Sequence, residues 1–210
     1  MKKKVILYDF DKTIIDSESI FLLWKFAIKK HPYLFITLII NLCREYIYYL
    51  LTGNFCHVKK AMVSVMKPLT EKDLENFFLK ILYPSHFFEE IFPEFEKYSD
   101  GDIKILCSAS CENYLKYINK ILPFDYILGT RLDKNYELVG KNNSGKEKVK
   151  RIKELLEREN IEIDYENSMA YTDSYKNDKY MASLVKNRFL INSEKHFEDF
   201  ANLSWHTKAD

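Results

Sequence analysis

The chain has 210 residues, of which 47% are hydrophobic and 30% charged. That is the composition of a soluble globular protein with room for a full core and an accessory domain, and it excludes a disordered chain. With 32 Lys and Arg against 31 Asp and Glu, the formal net charge is +1, so nothing general points to nucleic acid or an anionic membrane as partner.

The Lys2-Lys3-Lys4 run reads as a solvated strand entry, and the apolar Val5-Ile6-Leu7-Tyr8 behind it as a short buried strand. Asp9-Phe10-Asp11-Lys12-Thr13 follows at once. Side chains alternate along a strand, so Asp9 and Asp11 leave its carboxyl end on the same side. Two anions held that close repel unless a cation, a shared proton or strong donors lie nearby. A hard divalent cation answers this most simply, and magnesium keeps several of its roughly six oxygen ligands as water. Taken alone, Asp-x-Asp also fits a strand ending in a turn.

Beyond Thr13, Asp16 or Ser17 is placed to cap a helix carrying Phe21, Leu22, Trp24, Phe26 and Ile28. Tyr33 to Leu51 is the most apolar stretch, and its Arg44-Glu45 pair is costly in a bilayer span. We expect a buried or half-buried helix stopped at Gly53, with association at a lipid surface as the lesser reading. Residues 57–66 read as helix, and Thr70-Glu71-Lys72-Asp73 has capping-box spacing before another that ends at Pro84. Residues 17–84 therefore form an all-helical insertion lying over the end of the first strand.

From Ser85 the pattern alternates helix and strand: a helix from His86 to Tyr98 kinked at Pro93, then the strand Ile103 to Cys107. Helix Asn113 to Leu122, strand Tyr126 to Leu128 and a small hairpin at Arg131 to Gly140 come next. Helix Lys146 to Glu159, strand Ser168 to Thr172, helix Asp178 to Val185, strand Arg188 to Ile191 and a closing helix complete the chain. Such alternation predicts an α/β, Rossmann-like parallel sheet flanked by helices, its core made of residues 1–16 and 85–210. Sites in such sheets form at the carboxyl ends of strands.

Asp9 and Asp11, Ser108, Lys146, and Asp173 with Asp178 all fall on that one edge. In this order they resemble the four signature motifs of the haloacid dehalogenase superfamily. The helical insertion after the first motif and Leu128-Gly129-Thr130-Arg131-Leu132 after the second resemble its phosphoserine-phosphatase-like branch. The resemblance spans nearly the whole chain and implies a hydrolase with an all-helical cap.

It implies Asp9 as the nucleophile and Asp11 as general acid and base, the latter also a metal ligand through its backbone carbonyl. Mg2+ would be held by Asp9, Asp11 and Asp173, with Asp178 either a ligand or the orienter of a water or of Lys146. Ser108 and the N–H groups of Ala109 and Ser110 would meet the phosphate, with Thr13 and Asn177 as further donors. Lys146, preferred to Lys148, would balance the charge on phosphate and nucleophile. Glu18 stands where phosphoserine phosphatases place a glutamate that meets the substrate amine; a solvent-facing first-turn glutamate is the alternative. One departure is that four residues separate Asp173 from Asp178, against three in those enzymes.

The expected activity is hydrolysis of a small phosphorylated metabolite, with phosphoserine phosphatase, a membrane-surface lipid phosphatase and a non-catalytic phospho-ligand binder as alternatives. Nucleic acid is not an expected partner, and oligomeric state is not legible. Cys43, Cys56, Cys107 and Cys111 lack metal-ligand spacing and the N-terminus lacks a secretory pattern, so the cytoplasm is the expected location.

Overall fold

In the computed structural model, which describes residues 2–208, six parallel strands form the main sheet. They are β1 (Val5–Tyr8), β2 (Ile103–Cys111), β3 (Tyr126–Thr130), β4 (Met169–Thr172), β5 (Asn187–Ile191) and β6 (Ala201–Leu203). Their spatial order is β3-β2-β1-β4-β5-β6. A two-residue pairing of Lys2–Lys3 with Glu162–Ile163 lies apart from it. The order reverses beside β1, and open α/β sheets place their ligands at such switch points.

The first strand is central because all four of its side chains are apolar and wholly buried. Alternation divides them between two cores. Val5 and Leu7 join Ile152, Leu155 and Met181 on one face, while Ile6 and Tyr8 join Leu106 and Tyr171 on the other. Across neighbouring strands Tyr8, Tyr171 and Phe189 stack with ring centroids 4.7 and 4.9 Å apart, which adds packing specificity to their burial.

Between β1 and β2 the chain is helical: α1 (Ser19–Lys30), α2 (Leu34–Thr52), α3 (Cys56–Val63) and α4 (Glu71–Phe77), the last continued by a π-helical turn at Phe78–Leu82. The capping box at Thr70 forms with Asp73 as its third helical residue. Neither Asp16 nor Ser17 caps α1. Its N-cap is Glu18, whose side chain makes no capping bond, and Asp16 instead meets His86 Nδ1 at 2.7 Å.

α2 departs from expectation. Only Leu34, Leu38 and Glu45 are buried along it, and most of its Ile, Leu, Phe and Tyr side chains face outward. Burial needs one stripe along a helix, and these residues occupy well over half of its circumference.

After the insertion the chain contributes α5 (Ile91–Glu96), still ahead of β2, and then α6 (Glu112–Leu115), α7 (Lys146–Arg158) and α8 (Tyr175–Ala182). The helix expected from His86 begins only at Ile91, because Phe87 and Phe88 make bridges to Ile15 and Thr207. Pro93 thus sits in a first turn, where a missing N–H costs nothing, and does not kink a longer helix. The hairpin reduces to one bridge between Leu132 and Leu138. α8 starts at Tyr175, not Asp178, with Ser174 as its cap. In place of a closing helix the chain adds edge strand β6, and Trp205 behind it is buried against Phe88 and Tyr171.

Candidate active site

The loop after β1 shows how the local sequence aims its carboxylates. Phe10 is wholly buried, stacked 5.8 Å from Phe78 and edge-on to Phe87 at 6.4 Å. Burying that ring stabilises the loop by about 2–3 kcal/mol. With Phe10 fixed inward, both flanking acids line a cavity of about 370 Å³ at the carboxyl edge of the sheet. Asp9 is further held by its N–H, which donates to Tyr171 O at 3.0 Å.

The same cavity is lined by Glu18, Phe55, Ser108, Ala109, Lys148, Asp173, Asn177 and Asp178, with Asn142 and Ser144 from the loop before α7. Parallel register explains the convergence: Tyr8 stands level with Leu106 on one side and Tyr171 on the other. The residues just past those partners therefore reach one edge together.

Oxygens of Asp9, Asp173 and Asp178 lie within 4.8 Å of one another. Lys148 Nζ donates to Asp9 Oδ1 at 2.8 Å and lies 2.7 Å from Asp178 Oδ1. Asp178 is buried, and Thr172 Oγ1 donates to its other oxygen at 2.7 Å. Burial raises the Asp9 pKa well above the carboxylate range; Lys148 opposes this, and Asp178 and Asp173 add to it. Burial and then Asp178 push Asp173 up to about 6. For Lys148, burial works against the charge, but Asp9 and Asp178 overcome it and raise its pKa.

Three carboxylates crowd together and only two of them pair with Lys148, and that crowding together with the all-oxygen donor set suits a hard divalent cation such as Mg2+. Structural ion-pair networks also perturb pKa values, but here the perturbed groups converge on a cavity.

Asp11 is held apart from this group. Its Oδ1 accepts the Ser19 N–H at 2.8 Å, so it satisfies a donor at the start of α1 from a distance, and its Oδ2 accepts the Ser110 hydroxyl at 2.6 Å. Ser19 Oγ lies 2.8 Å from both Ser110 Oγ and Tyr114 Oη. The hydroxyls can each donate once in the order Tyr114, Ser19, Ser110, Asp11, which leaves none of those protons idle. Burial raises the Asp11 pKa, while the hydrogen bonds from Ser110 and Ser19 limit the rise.

Several expected residues sit elsewhere. Lys146 Nζ lies 5.5 Å from the Tyr180 ring centroid, outside the cavity, and Lys148 takes the place expected for it. The reason is helical phase. Lys148, Arg151, Ile152, Leu155 and Leu156 form the buried stripe of α7, and Lys146 is off it. Ser110 does not face the cavity: its N–H donates to Ser108 Oγ at 3.1 Å and its hydroxyl is taken by Asp11. The stretch Ser108-Ala109-Ser110 also belongs to the irregular end of β2, where pairing with β3 shifts register between Cys107 and Cys111, and not to a helix start. Thr13 is buried without lining the cavity. Glu18 lines it and pairs with Lys12 Nζ at 2.8 Å. The Asn177 N–H is directed to Ser174 Oγ at 3.4 Å.

Sequence reasoning missed the residues that brace this edge. Asn143 Nδ2 donates to Ser108 O at 2.9 Å and Leu128 O at 2.7 Å, and Thr130 Oγ1 donates to Ala109 O at 2.7 Å. Lys59, buried in α3, reaches Ala109 O at 2.9 Å. Asn142-Asn143-Ser144-Gly145 before a helix is a visible turn signal, but nothing in it names these partners.

A family model for haloacid dehalogenase-like hydrolases matches residues 6–183. Among solved structures, a protein of unknown function from Bordetella pertussis Tohama I is 17% identical, with a TM-score of 0.73 over 92% of each chain. A phosphoserine phosphatase trapped as a phospho-aspartyl intermediate analogue is 22% identical, with a TM-score of 0.57 over 91% of this chain and 87% of that one. A phosphoserine phosphohydrolase-like protein from Francisella tularensis is 16% identical, with a TM-score of 0.58 over 95% and 91%. At these identities the likeness is one of fold. No curated protein matches the sequence significantly.

Proposed function

The chain belongs to the haloacid dehalogenase-like hydrolases, and from that membership we propose that it is a magnesium-dependent phosphatase that hydrolyses a small organic phosphate monoester through an aspartyl-phosphate on Asp9. The observation that carries the reading is the division of labour among the acids. Asp9 lies with Asp173, Asp178 and Lys148, while Asp11, two residues on, is held separately by Ser19 and Ser110.

Phosphoryl transfer asks a protein for an in-line nucleophile, charge neutralisation and a proton for the leaving group. The Asp9 carboxylate attacks phosphorus as the bond to the leaving oxygen breaks, and Asp11 gives that oxygen its proton. Water then attacks the same phosphorus as Asp11 accepts a proton from it, and the bond from the Asp9 carboxylate oxygen to phosphorus breaks to release phosphate. Ser108 and the backbone at Ala109 face the transferring group, and the charge of Lys148 opposes the burial that disfavours the ionised form of Asp9. Asp9, Asp173 and Asp178, with the backbone carbonyl of Asp11, would hold Mg2+, which when bound offsets the repulsion between carboxylate and phosphate.

Residues 17–84 act as the cap, and specificity is assigned to them because the residues below read only phosphate and metal. Glu18 on the cavity wall suits an amine-bearing substrate, and the expected setting is a cytoplasmic phosphometabolite pool. The test is hydrolysis of an aryl phosphate by the purified chain with and without Mg2+. Activity that requires the metal and disappears in Asp9→Asn supports the reading; metal-independent activity, or activity surviving in Asp9→Asn, contradicts it.

A further inference from the structure

α2 is the one helix among the described residues long and apolar enough to cross a bilayer, by length and composition alone, and only 17% of its most apolar window is buried. It does not cross one in this fold. Leu34, Leu38 and Glu45 lock one side of it onto the rest of the insertion, and Glu45 pairs with Arg44 and with His57 Nδ1 at 3.0 Å.

The other side is what needs an occupant. Advancing about 100° per residue, Phe35, Tyr46, Ile39, Leu50, Cys43, Ile36, Ile47, Ile40 and Leu51 fill a continuous arc of about 160° without a charge or an amide. Every one of them is exposed, up to 77% for Leu51. The arc runs the length of the helix, about 28 Å at 1.5 Å per residue. Arg44, Thr37 and Tyr48 border it on one side. Soluble monomers rarely expose so large a contiguous apolar patch unless something binds there.

Two observations choose the occupant. First, the arc is wider than the narrow seam along which two helices pair, so a second copy of α2 would leave much of it in water. Second, the charge around it is one-sided. From Ser19 to Thr70 the sequence carries Lys25, Lys29, Lys30, Arg44, Lys59, Lys60 and Lys67 but a single carboxylate, Glu45, which is buried. Lys30 is paired with Asp73, Lys60 and Lys67 with Glu137, and Arg44 with Glu45, while Lys59 is buried against Ala109 O; Lys25, Lys29 and Arg44 remain exposed. In a chain of net charge +1, this leaves a net positive segment with Arg44 on the border of the apolar face itself and Lys25 and Lys29 exposed on α1. Two such faces repel each other, whereas an anionic lipid surface attracts both the charge and the apolar arc.

We infer that the outer face of α2 docks this protein on an anionic lipid bilayer, lying in the interface with its Ile and Leu side chains among the acyl chains. The helix ends at Gly53, whose left-handed φ of 67° turns the chain back. Phe55 then packs edge-on against Tyr49 at 6.2 Å and lines the catalytic cavity.

The experiment is co-sedimentation of the full chain with phosphatidylcholine vesicles and with vesicles containing about a third phosphatidylglycerol, at low and high salt. The expected result is at least tenfold stronger partitioning to the anionic vesicles, weakened by salt. It should be lost by tenfold or more in the triple variant Ile36→Gln, Ile47→Gln, Leu51→Gln. Aryl phosphate hydrolysis and thermal melting of that variant should match the parent, which separates a lost docking face from a lost fold. Asp9→Asn should bind vesicles like the parent, so failure of the phosphatase reading would leave this result standing. A chain that stays in solution with both vesicle types, or a triple variant that still sediments, overturns the inference. So does a dimer dissolved by the triple variant with no vesicle uptake, which would assign the face to a second copy.

Discussion

Lys148 Nζ and Asp9 Oδ1 lie 2.8 Å apart, both residues more than nine-tenths buried. The lysine also serves Asp178, so one cation offsets two carboxylates that would otherwise face each other in a poorly solvated pocket. Lys148→Ala should therefore lower kcat/KM by about 10²–10³-fold, the scale expected for a group that stabilises developing charge. Lys146→Ala should change it by less than about threefold, because a side chain outside the site contributes no such stabilisation. Without metal, Lys148→Ala should also destabilise the fold by about 3–5 kcal/mol, as loss of one partner from a buried pair does. Steady-state kinetics and metal-free denaturation of the two variants check this, and equal effects would return the role to neither lysine.

Ser110→Ala removes the hydroxyl that donates to Asp11 Oδ2 while leaving the fold's apolar packing intact. The expected outcome is a kcat about tenfold lower with KM changed little, since the hydroxyl positions the general acid and does not touch substrate. An effect on KM alone would make Ser110 part of the binding surface.

Gly129 is required by close approach. A Cβ there would stand 2.6 Å from Ser110 O and 2.9 Å from Glu112 N, both backbone atoms that cannot swing aside. Arg151 and Glu112 clamp the same peptide, through Arg151 Nη1 to Gly129 O and Gly129 N to Glu112 Oε1. Gly129→Ala should cost about 1–3 kcal/mol of stability, the range for overpacking. It should also depress activity by displacing the Ser108 segment, and chemical denaturation beside an activity assay reads both. A fully stable, fully active variant would contradict the packing.

Asp73 anchors the cap end of α4. Hydrogen bonding from Lys30, then from the backbone and hydroxyl of Thr70, holds its pKa down to about 2 against an ordinary 3.8. A carboxylate with a lowered folded-state pKa stabilises the fold above its unfolded value and loses that contribution as pH falls through the folded one. Asp73→Asn should therefore cost about 1 kcal/mol at pH 7, the usual worth of a capping group. The gap from the parent should close between about pH 4 and pH 2. Denaturant midpoints across that range test it; a gap independent of pH would assign the loss to packing.

Glu18→Gln should raise KM chiefly for amine-bearing phosphates, with kcat on a plain aryl phosphate unchanged. Equal effects on all substrates would reduce Glu18 to the partner of Lys12.

What could be read in advance divides along physical lines. The buried strand at Val5–Tyr8 and the acids leaving β1 and β4 were legible because apolar runs and turn chemistry are local properties. So was the capping box at Thr70. Helical phase in α7 was a usable signal that the preference for Lys146 passed over: stepping back one turn from Ile152 on the stripe it shares with Leu155 and Leu156 reaches Lys148. The outward face of α2 was not legible, since hydropathy reports the amount of apolar surface and not whether anything covers it. Strand β6, where a helix was expected, depends on Trp205 finding Phe88 and Tyr171 far away in the chain. The chain of hydroxyls from Tyr114 to Asp11 likewise joins segments that no local pattern connects.

The central claim is a covalent phosphoryl-enzyme on Asp9. The direct measurement is borohydride trapping during turnover of an aryl phosphate with Mg2+, followed by peptide mapping, because an acyl phosphate is reduced to an alcohol where a free carboxylate is not. The account predicts homoserine at position 9 and at no other position, absent when substrate or metal is withheld. Homoserine at position 11, or an active enzyme that traps none at position 9, would contradict it.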